Sequence, residues 1–281
     1  MKVIKLIPEL QEQLGKIRKE GKSIGLVPTM GALHKGHISL VEQSVRENDY
    51  TVVSIFVNPT QFNNPNDLKT YPRTLEEDLE KLQLAKADFI FVPTVEEMYP
   101  EPDTRQFNFG PLEQVMEGKH RPGHFNGVAQ IVSKLFAITE PHKAYFGQKD
   151  FQQVAVIKQM VKDLEMPLEI VACPIIREKD GLAMSSRNML LQPDERKNAS
   201  HISQTLAKAC NLVADLSVEE LKQWVIEEVN KNPYLEVEYF EIVDDTYLQP
   251  VANWSDNSIK VGCITVQVGK VRLIDNITFK I

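Results

Sequence analysis

Short runs rich in β-branched and aromatic residues alternate with helix-length segments through the first half of the chain, and this alternation constrains the fold more than any other feature. The runs are SIGLV at 23–27, TVVSIFV at 51–57, ADFIFVP at 87–93, KAYFG at 143–147 and PLEIVAC at 167–173. They read as strands covered on both faces. Helical patterns lie between them at about 36–48, 75–86, 127–139 and 150–164. Asp150 stands where it would cap the last of these helices. Strands separated in this way join into a parallel sheet with helices on both faces, a Rossmann-like α/β arrangement.

Beyond CPIIREKDG the style changes. Helices are predicted at about 194–214 and 217–230, then strands near 234–243, 258–268 and 271–280. The tight Val268-Gly269-Lys270 connection makes the last two a hairpin. The expected organisation is therefore a first domain at 1–175 and a smaller α+β domain at 176–281. Between 94 and 126 periodicity fades and Pro, Gly and His accumulate, as in binding loops and lids. Overlapping its end, 111–127 is expected to be a mobile cover, with Lys119, His120, Arg121 and His124 carrying positive charge towards an anionic intermediate.

Composition narrows the functional class. Of 281 residues, 42% are hydrophobic and 25% charged, as in an ordinary soluble enzyme with a substantial core. A net charge of −7 argues against a general nucleic-acid binder, which needs clustered Lys and Arg. The opening MKVIKLIPELQEQLGKIRKEGK carries charge throughout and offers neither a signal peptide nor a membrane span, so a cytoplasmic location is expected. Cys173, Cys210 and Cys263 are odd in number and far apart, which suggests three small buried hydrophobes rather than a disulfide framework or zinc site.

The strongest local motif is Val27-Pro28-Thr29-Met30-Gly31-Ala32-Leu33-His34-Lys35-Gly36-His37. A strand ends, a glycine-bearing turn follows and a helix begins at about His37, which is where open α/β sheets bind ligands. Backbone N–H groups and the positive helix end favour phosphate there. Gly31 and Gly36 have phosphate-loop spacing, but His37 stands where a Walker-type loop requires lysine, and the dinucleotide glycine pattern is also missing. What remains is His-x-Gly-His, with two imidazoles three residues apart on one side of a helix start. Neutral imidazoles there can donate hydrogen bonds to a triphosphate. Metal binding is the weaker reading, because no third ligand lies nearby.

With PTMGALHKGH (28–37), FVNPTQF (56–62), YPR (71–73), RPGHFNGV (121–128), YFGQKDFQQ (145–153) and MSSRN (184–188) in this order, the chain resembles the pantothenate synthetases of the His-x-Gly-His nucleotidyltransferase superfamily. The resemblance runs over nearly the whole chain. It implies that ATP is lined by the turn from Met30, Gly31, Ala32 and Leu33 through His34, Lys35, Gly36 and His37. It also implies ATP contacts from Gly147, Gln148, Lys149 and Asp150, from the backbone of Ile176, and from Met184, Ser185, Ser186 and Arg187. Lysine and arginine suit phosphate as donors of directed, charge-assisted bonds.

Gln61 and Gln153 match the family's pantoate-binding positions, and Gln61 is also carried over to β-alanine. The implied reaction is condensation of (R)-pantoate with β-alanine through a pantoyl adenylate, with Mg²⁺ accompanying ATP, in a homodimer that binds neither nucleic acid nor membrane. His37, His34, Lys149 and Arg187 are the expected catalytic groups, acting by positioning and charge stabilisation. Glu77 and Asp78 offer oxygen ligands for magnesium, but Thr74-Leu75-Glu76-Glu77 also reads as a capping box, the favoured role. Two other readings stay open on sequence: another adenylyl-transferring enzyme of the superfamily, and a non-catalytic nucleotide-binding module.

Overall fold

The computed structural model describes residues 1–256 and 258–280. These form two compact units. The first comprises Met1–Phe109, Arg121–Gln148 and Val156–Pro174, and the second Gly110–His120, Lys149–Ala155 and the residues from Ile175 onward. The grouping is not a single cut at 175, since two earlier segments belong with the later residues.

In chain order the first half carries β1 (Lys2–Ile4), α1 (Ile7–Lys19), β2 (Ile24–Thr29), α2 (Lys35–Glu47), β3 (Tyr50–Ile55), α3 (Pro65–Thr70), α4 (Leu75–Leu84), β4 (Phe89–Phe91) and α5 (Val95–Met98). Then follow α6 (Met116–His120), α7 (His124–Thr139), β5 (Lys143–Gly147), α8 (Phe151–Asp163) and β6 (Glu169–Cys173). The six strands form one parallel sheet in the order β1-β4-β3-β2-β5-β6. Val27, Val53, Ile90 and Tyr145 from its strands pack with Leu40 and Val41 of α2 and Leu82 of α4 in a common core. From β2 the chain steps outward to β3 and β4, then resumes on the other side with β5 and β6. That reversal makes a topological switch point at the carboxyl ends of β2 and β5, the usual ligand position in such sheets.

Two early elements, β1 and α1, were not anticipated. Leu10, Leu14 and Ile17 bury one stripe of α1. The loop expected at 94–126 contains α5, α6 and the first residues of α7. Among the described residues no helix is long and apolar enough to cross a membrane.

The second unit contains α9 (Pro193–Ala199), α10 (His201–Ala209), α11 (Val218–Asn230), β7 (Leu235–Asp244), β8 (Lys260–Val268) and β9 (Val271–Phe279). The single helix expected at 194–214 is thus two, parted at Ser200. The strands form an antiparallel sheet, β7-β8-β9, and Val268 pairs with Val271 across a Gly269-Lys270 turn. Gly269 lies at φ +57°, the left-handed backbone such a turn demands. Leu206 of α10 and Leu221 and Val225 of α11 cover Phe240, Ile264 and Val266 of the sheet.

In this unit α6 is tied to the sheet by Glu117, which is 8% exposed. Its carboxylate accepts from both terminal nitrogens of Arg272 at 2.7 Å, from the Tyr239 hydroxyl at 2.8 Å and from Thr265 Oγ1 at 3.2 Å. Burial drives the Tyr239 phenol well above its ordinary pKa, so it stays a donor. His120 Nδ1 lies 2.9 Å from Glu238, and its ring rests against Tyr239. The segment expected to form one mobile cover at 111–127 is divided between the two units: Glu117 and His120 are engaged with the second unit's sheet, whereas His124 is buried at the start of α7 in the first unit.

The cysteine reading is corrected at one position. Cys173 and Cys263 are buried, and desolvation pushes their thiols up to about 11 and about 12. Cys210, however, is only partly buried, at the end of α10.

Candidate active site

The His-x-Gly-His turn is built by backbone geometry and one buried carboxylate. Gly31 (φ +82°) and Ala32 (φ +49°) both take left-handed conformations after β2 ends. These two residues turn the next amides inward, so that Ala32 N–H and Leu33 N–H donate to the two oxygens of Asp78 at 2.8 and 2.7 Å. Asp78 is 0% exposed and also accepts from Thr74 Oγ1 at 3.2 Å. Lys81, one turn further along α4, donates to the Leu33 carbonyl at 2.9 Å.

The Thr74 capping box expected on α4 is absent, because the Thr74 hydroxyl turns to Asp78 and makes no cap bond. Of the two carboxylates offered to magnesium, Asp78 accepts three hydrogen bonds, from the turn and from Thr74, while Glu77 lies 3.7 Å from Lys81.

The two histidines cap α2 reciprocally. His34 Nδ1 accepts from Gly36 N–H at 3.1 Å, and His37 Nδ1 accepts from His34 N–H at 3.3 Å. The rings lie 4.0 Å apart between centroids. An imidazole that accepts at Nδ1 carries its proton on Nε2, so both rings are neutral Nε2–H donors, and the positive helix end reinforces that state.

A second turn of the first unit, at Pro59–Gln61, carries Gln61. Gln61 Nε2 lies 3.2 Å from the Met30 sulfur, and Asn58 Nδ2 donates to Gln61 Oε1 at 3.2 Å. Asn58, 1% exposed, also donates to the Gly127 carbonyl at 3.1 Å and accepts from the Tyr99 hydroxyl at 2.8 Å. From the start of α7, His124 Nδ1 donates to the Gln61 carbonyl at 2.9 Å. That leaves its Nε2 as the acceptor for Arg121 at 3.1 Å. His124 is thus the opposite tautomer to His34 and His37. Gly147 ends β5, the strand next to β2, and Gln148 follows it as the last residue of this stretch of the first unit.

The remaining predicted residues belong to the second unit. Lys149 is largely buried, its ammonium 3.9 Å from Asp150. Of the two glutamines that follow, Gln152 is scaffolding. It donates to the Leu112 and Val115 carbonyls at 2.6 and 2.9 Å and accepts from Glu117 N–H at 2.9 Å. Gln153 is half-buried outside that network. Ile176 and Met184 face each other across a small hairpin, Met184 N–H donating to the Ile176 carbonyl at 3.0 Å. The return leads into Ser185, whose hydroxyl accepts from Arg187 N–H at 3.2 Å and so caps the 3₁₀ turn Ser186–Leu190.

The structure brings Met30 to His37 together with Gln61 in the first unit, and sets Lys149, Asp150, Gln153 and the 176–187 hairpin in the second. Asn58, Asp78 and His124 support the first group. None was predicted to do so. A separate apolar recess of about 340 Å³, lined by Phe136, His142, Met166 and Leu168, lies at the amino ends of β5 and β6, away from this chemistry.

Residues 2–278 match the family model described as pantoate-beta-alanine ligase. The chain belongs to the pantoate–β-alanine ligase family. Curated pantothenate synthetases of Bacteroides fragilis (strain YCH46) and Porphyromonas gingivalis (strain ATCC BAA-308 / W83) are 59% and 56% identical over 280 residues, with 99% or more of each chain covered. The crystal structure of pantothenate synthetase from Thermus thermophilus superposes with a TM-score of 0.92 at 42% identity, covering 99% of both chains. A pantoate-beta-alanine ligase from Francisella tularensis, complexed with beta-gamma ATP and beta-alanine, gives a TM-score of 0.84 at 38% identity over 99% of this chain and 97% of that one. The pantoate–β-alanine ligase fold thus comprises this parallel sheet and the small antiparallel one.

Proposed function

We propose that this chain joins (R)-pantoate to β-alanine in two half-reactions, with MgATP as the activating substrate. A carboxylate is a poor acyl electrophile. In the first half-reaction the pantoate carboxylate attacks the α-phosphorus of ATP, and pyrophosphate leaves. In the second, the β-alanine amine attacks the acyl carbon of pantoyl adenylate, forming the amide and releasing AMP.

The observation that carries the adenylation step is that Nδ1 of both His34 and His37 accepts a backbone N–H at the start of α2, which leaves each Nε2 as the donor. Two neutral donors and the helix end stabilise charge that develops on the phosphates without a proton transfer to the chain. Lys149 and Arg187 supply the cationic donors, with Ser185 and Ser186 beside them. The turn from Met30 to His37, Gly147 to Asp150, Ile176 and Met184 line the nucleotide. Gln61 and Gln153 take the hydroxyls of pantoate, and Gln61 also meets β-alanine.

Magnesium is treated as part of the ATP substrate, since Asp78 is consumed by the turn. The division at about 175 belongs to this proposal, with residues 1–175 carrying most of the ATP contacts and the pantoate contacts, and Ile176 and Met184 to Arg187 the remaining ATP contacts. So do a homodimeric state, carried over from the family resemblance, and the cytoplasmic location expected above.

The test is exchange of labelled pyrophosphate into ATP. Exchange is expected with pantoate and Mg²⁺ and without β-alanine. Formation of ADP and phosphate, or exchange indifferent to pantoate, refutes the proposal.

A further inference from the structure

The alternation of buried and exposed residues along β9 breaks at Asp275 and Asn276, which are adjacent yet only 5% and 6% exposed. Two consecutive polar side chains buried in one strand are costly unless each is fully engaged. Both are engaged, Asp275 with Arg177, the neighbour of Ile176, and Asn276 with Lys149 of the proposed site.

Arg177 grips Asp275 with both arms of its guanidinium, at 2.7 and 3.0 Å, and Asp275 also accepts from Asn276 N–H at 2.8 Å. The same guanidinium donates to the Gly181 carbonyl at 3.1 Å and the Asn276 carbonyl at 3.3 Å. Gly181 is the bend of the hairpin whose return delivers Ser185, Ser186 and Arg187. On the other side, Asn276 Nδ2 donates to the Lys149 carbonyl at 3.0 Å. One buried cluster on the last strand therefore holds both the turn that carries Lys149 and the hairpin that leads to Arg187.

We infer that Asn276, oriented by the Arg177–Asp275 pair, is a positioning residue for Lys149, and that β9 thereby sets the spacing of the two cationic groups that receive the triphosphate. The inference rests on the reading of Lys149 and Arg187 as phosphate ligands. A main-chain anchor directly beneath a lysine limits where its ammonium can reach, and misplacement of a catalytic group by a fraction of an ångström is expressed in turnover.

The test compares Asn276→Ala, Lys149→Ala and the double variant in pyrophosphate exchange, together with aminolysis of preformed pantoyl adenylate by β-alanine. For Asn276→Ala, kcat for exchange is expected to fall roughly tenfold, while KM for pantoate and the aminolysis rate change by less than about twofold. In the Lys149→Ala background the Asn276→Ala change should cost little more, because the two act through one group. Should Asn276→Ala not fold, Asn276→Asp keeps the volume and turns an acceptor towards the Lys149 carbonyl, and the same comparison applies.

Normal exchange by the Asn276 variant, or an equal further loss in the Lys149→Ala background, overturns the inference. Normal exchange by Lys149→Ala alone overturns the underlying reading of Lys149, and the inference with it.

Discussion

His34 does two jobs with two nitrogens. Nδ1 accepts from Gly36 N–H and starts α2, which leaves the proton on Nε2 as a donor. Replacement by asparagine separates these roles, since an amide oxygen caps a helix about as well while its NH₂ does not reach as far. His34→Asn is expected to hold stability to within about 0.5 kcal/mol in urea denaturation, because a good cap is retained. Its pyrophosphate exchange should nonetheless fall roughly 10²-fold, the scale of one lost donor to a developing charge. A variant that exchanges normally would assign His34 to the cap alone. The types and spacing of these histidines were legible in the sequence; their tautomers were not, because a tautomer depends on which nitrogen accepts. Asp78 was illegible for a different reason. It binds the amide of Ala32, 46 positions away, and nothing in the local pattern around Thr74 announces so distant a partner.

At the scale of elements, β2, β3, β4 and β5 were readable because both faces are covered, which compresses apolar residues into short unbroken runs, whereas β6, read in the same way, is an edge strand with only Cys173 buried. Strand β1 escaped, being only 3 residues long with two of them exposed. Helix α1 has a readable stripe at Leu10, Leu14 and Ile17, set among charged residues that dominate the opening segment. The loop at 94–126 was misjudged because its helices are very short and are held by distant residues such as Arg272 rather than by their own periodicity.

Helix α7 shows how one glycine sets a contact. A Cβ on Gly127 would run into the Thr60 carbonyl, so the absence of a side chain lets α7 lie against the turn that presents Gln61. Gly127→Ala is therefore expected to lose about 1–3 kcal/mol, as overpacking commonly does, measured by chemical denaturation. It should raise KM for pantoate more than KM for ATP. Unchanged stability and kinetics would show that the two elements can part without consequence.

Considered whole, the chain assigns residues 110–120 and 149–155 to the same compact unit as the sequence from Ile175 onward. This makes the C-terminal part incomplete by itself. A fragment of residues 176–281 lacks Glu117 and the Gln152 scaffold, and opening one buried ion pair already costs about 3–5 kcal/mol. The fragment is expected to give no cooperative thermal transition by circular dichroism. A sharp transition would mean that the earlier segments are dispensable. Glu117 and Arg272 are 155 residues apart in sequence. At ribosomal speed, about 5–20 residues per second, the carboxylate waits roughly 8–30 s for its partner to be synthesised. Throughout that interval it must remain hydrated, so α6 cannot take its final seat. Strand β9 likewise brings Asn276 to Lys149, and a nascent chain arrested before β9 would hold a finished parallel sheet yet still lack the anchor proposed for adenylation.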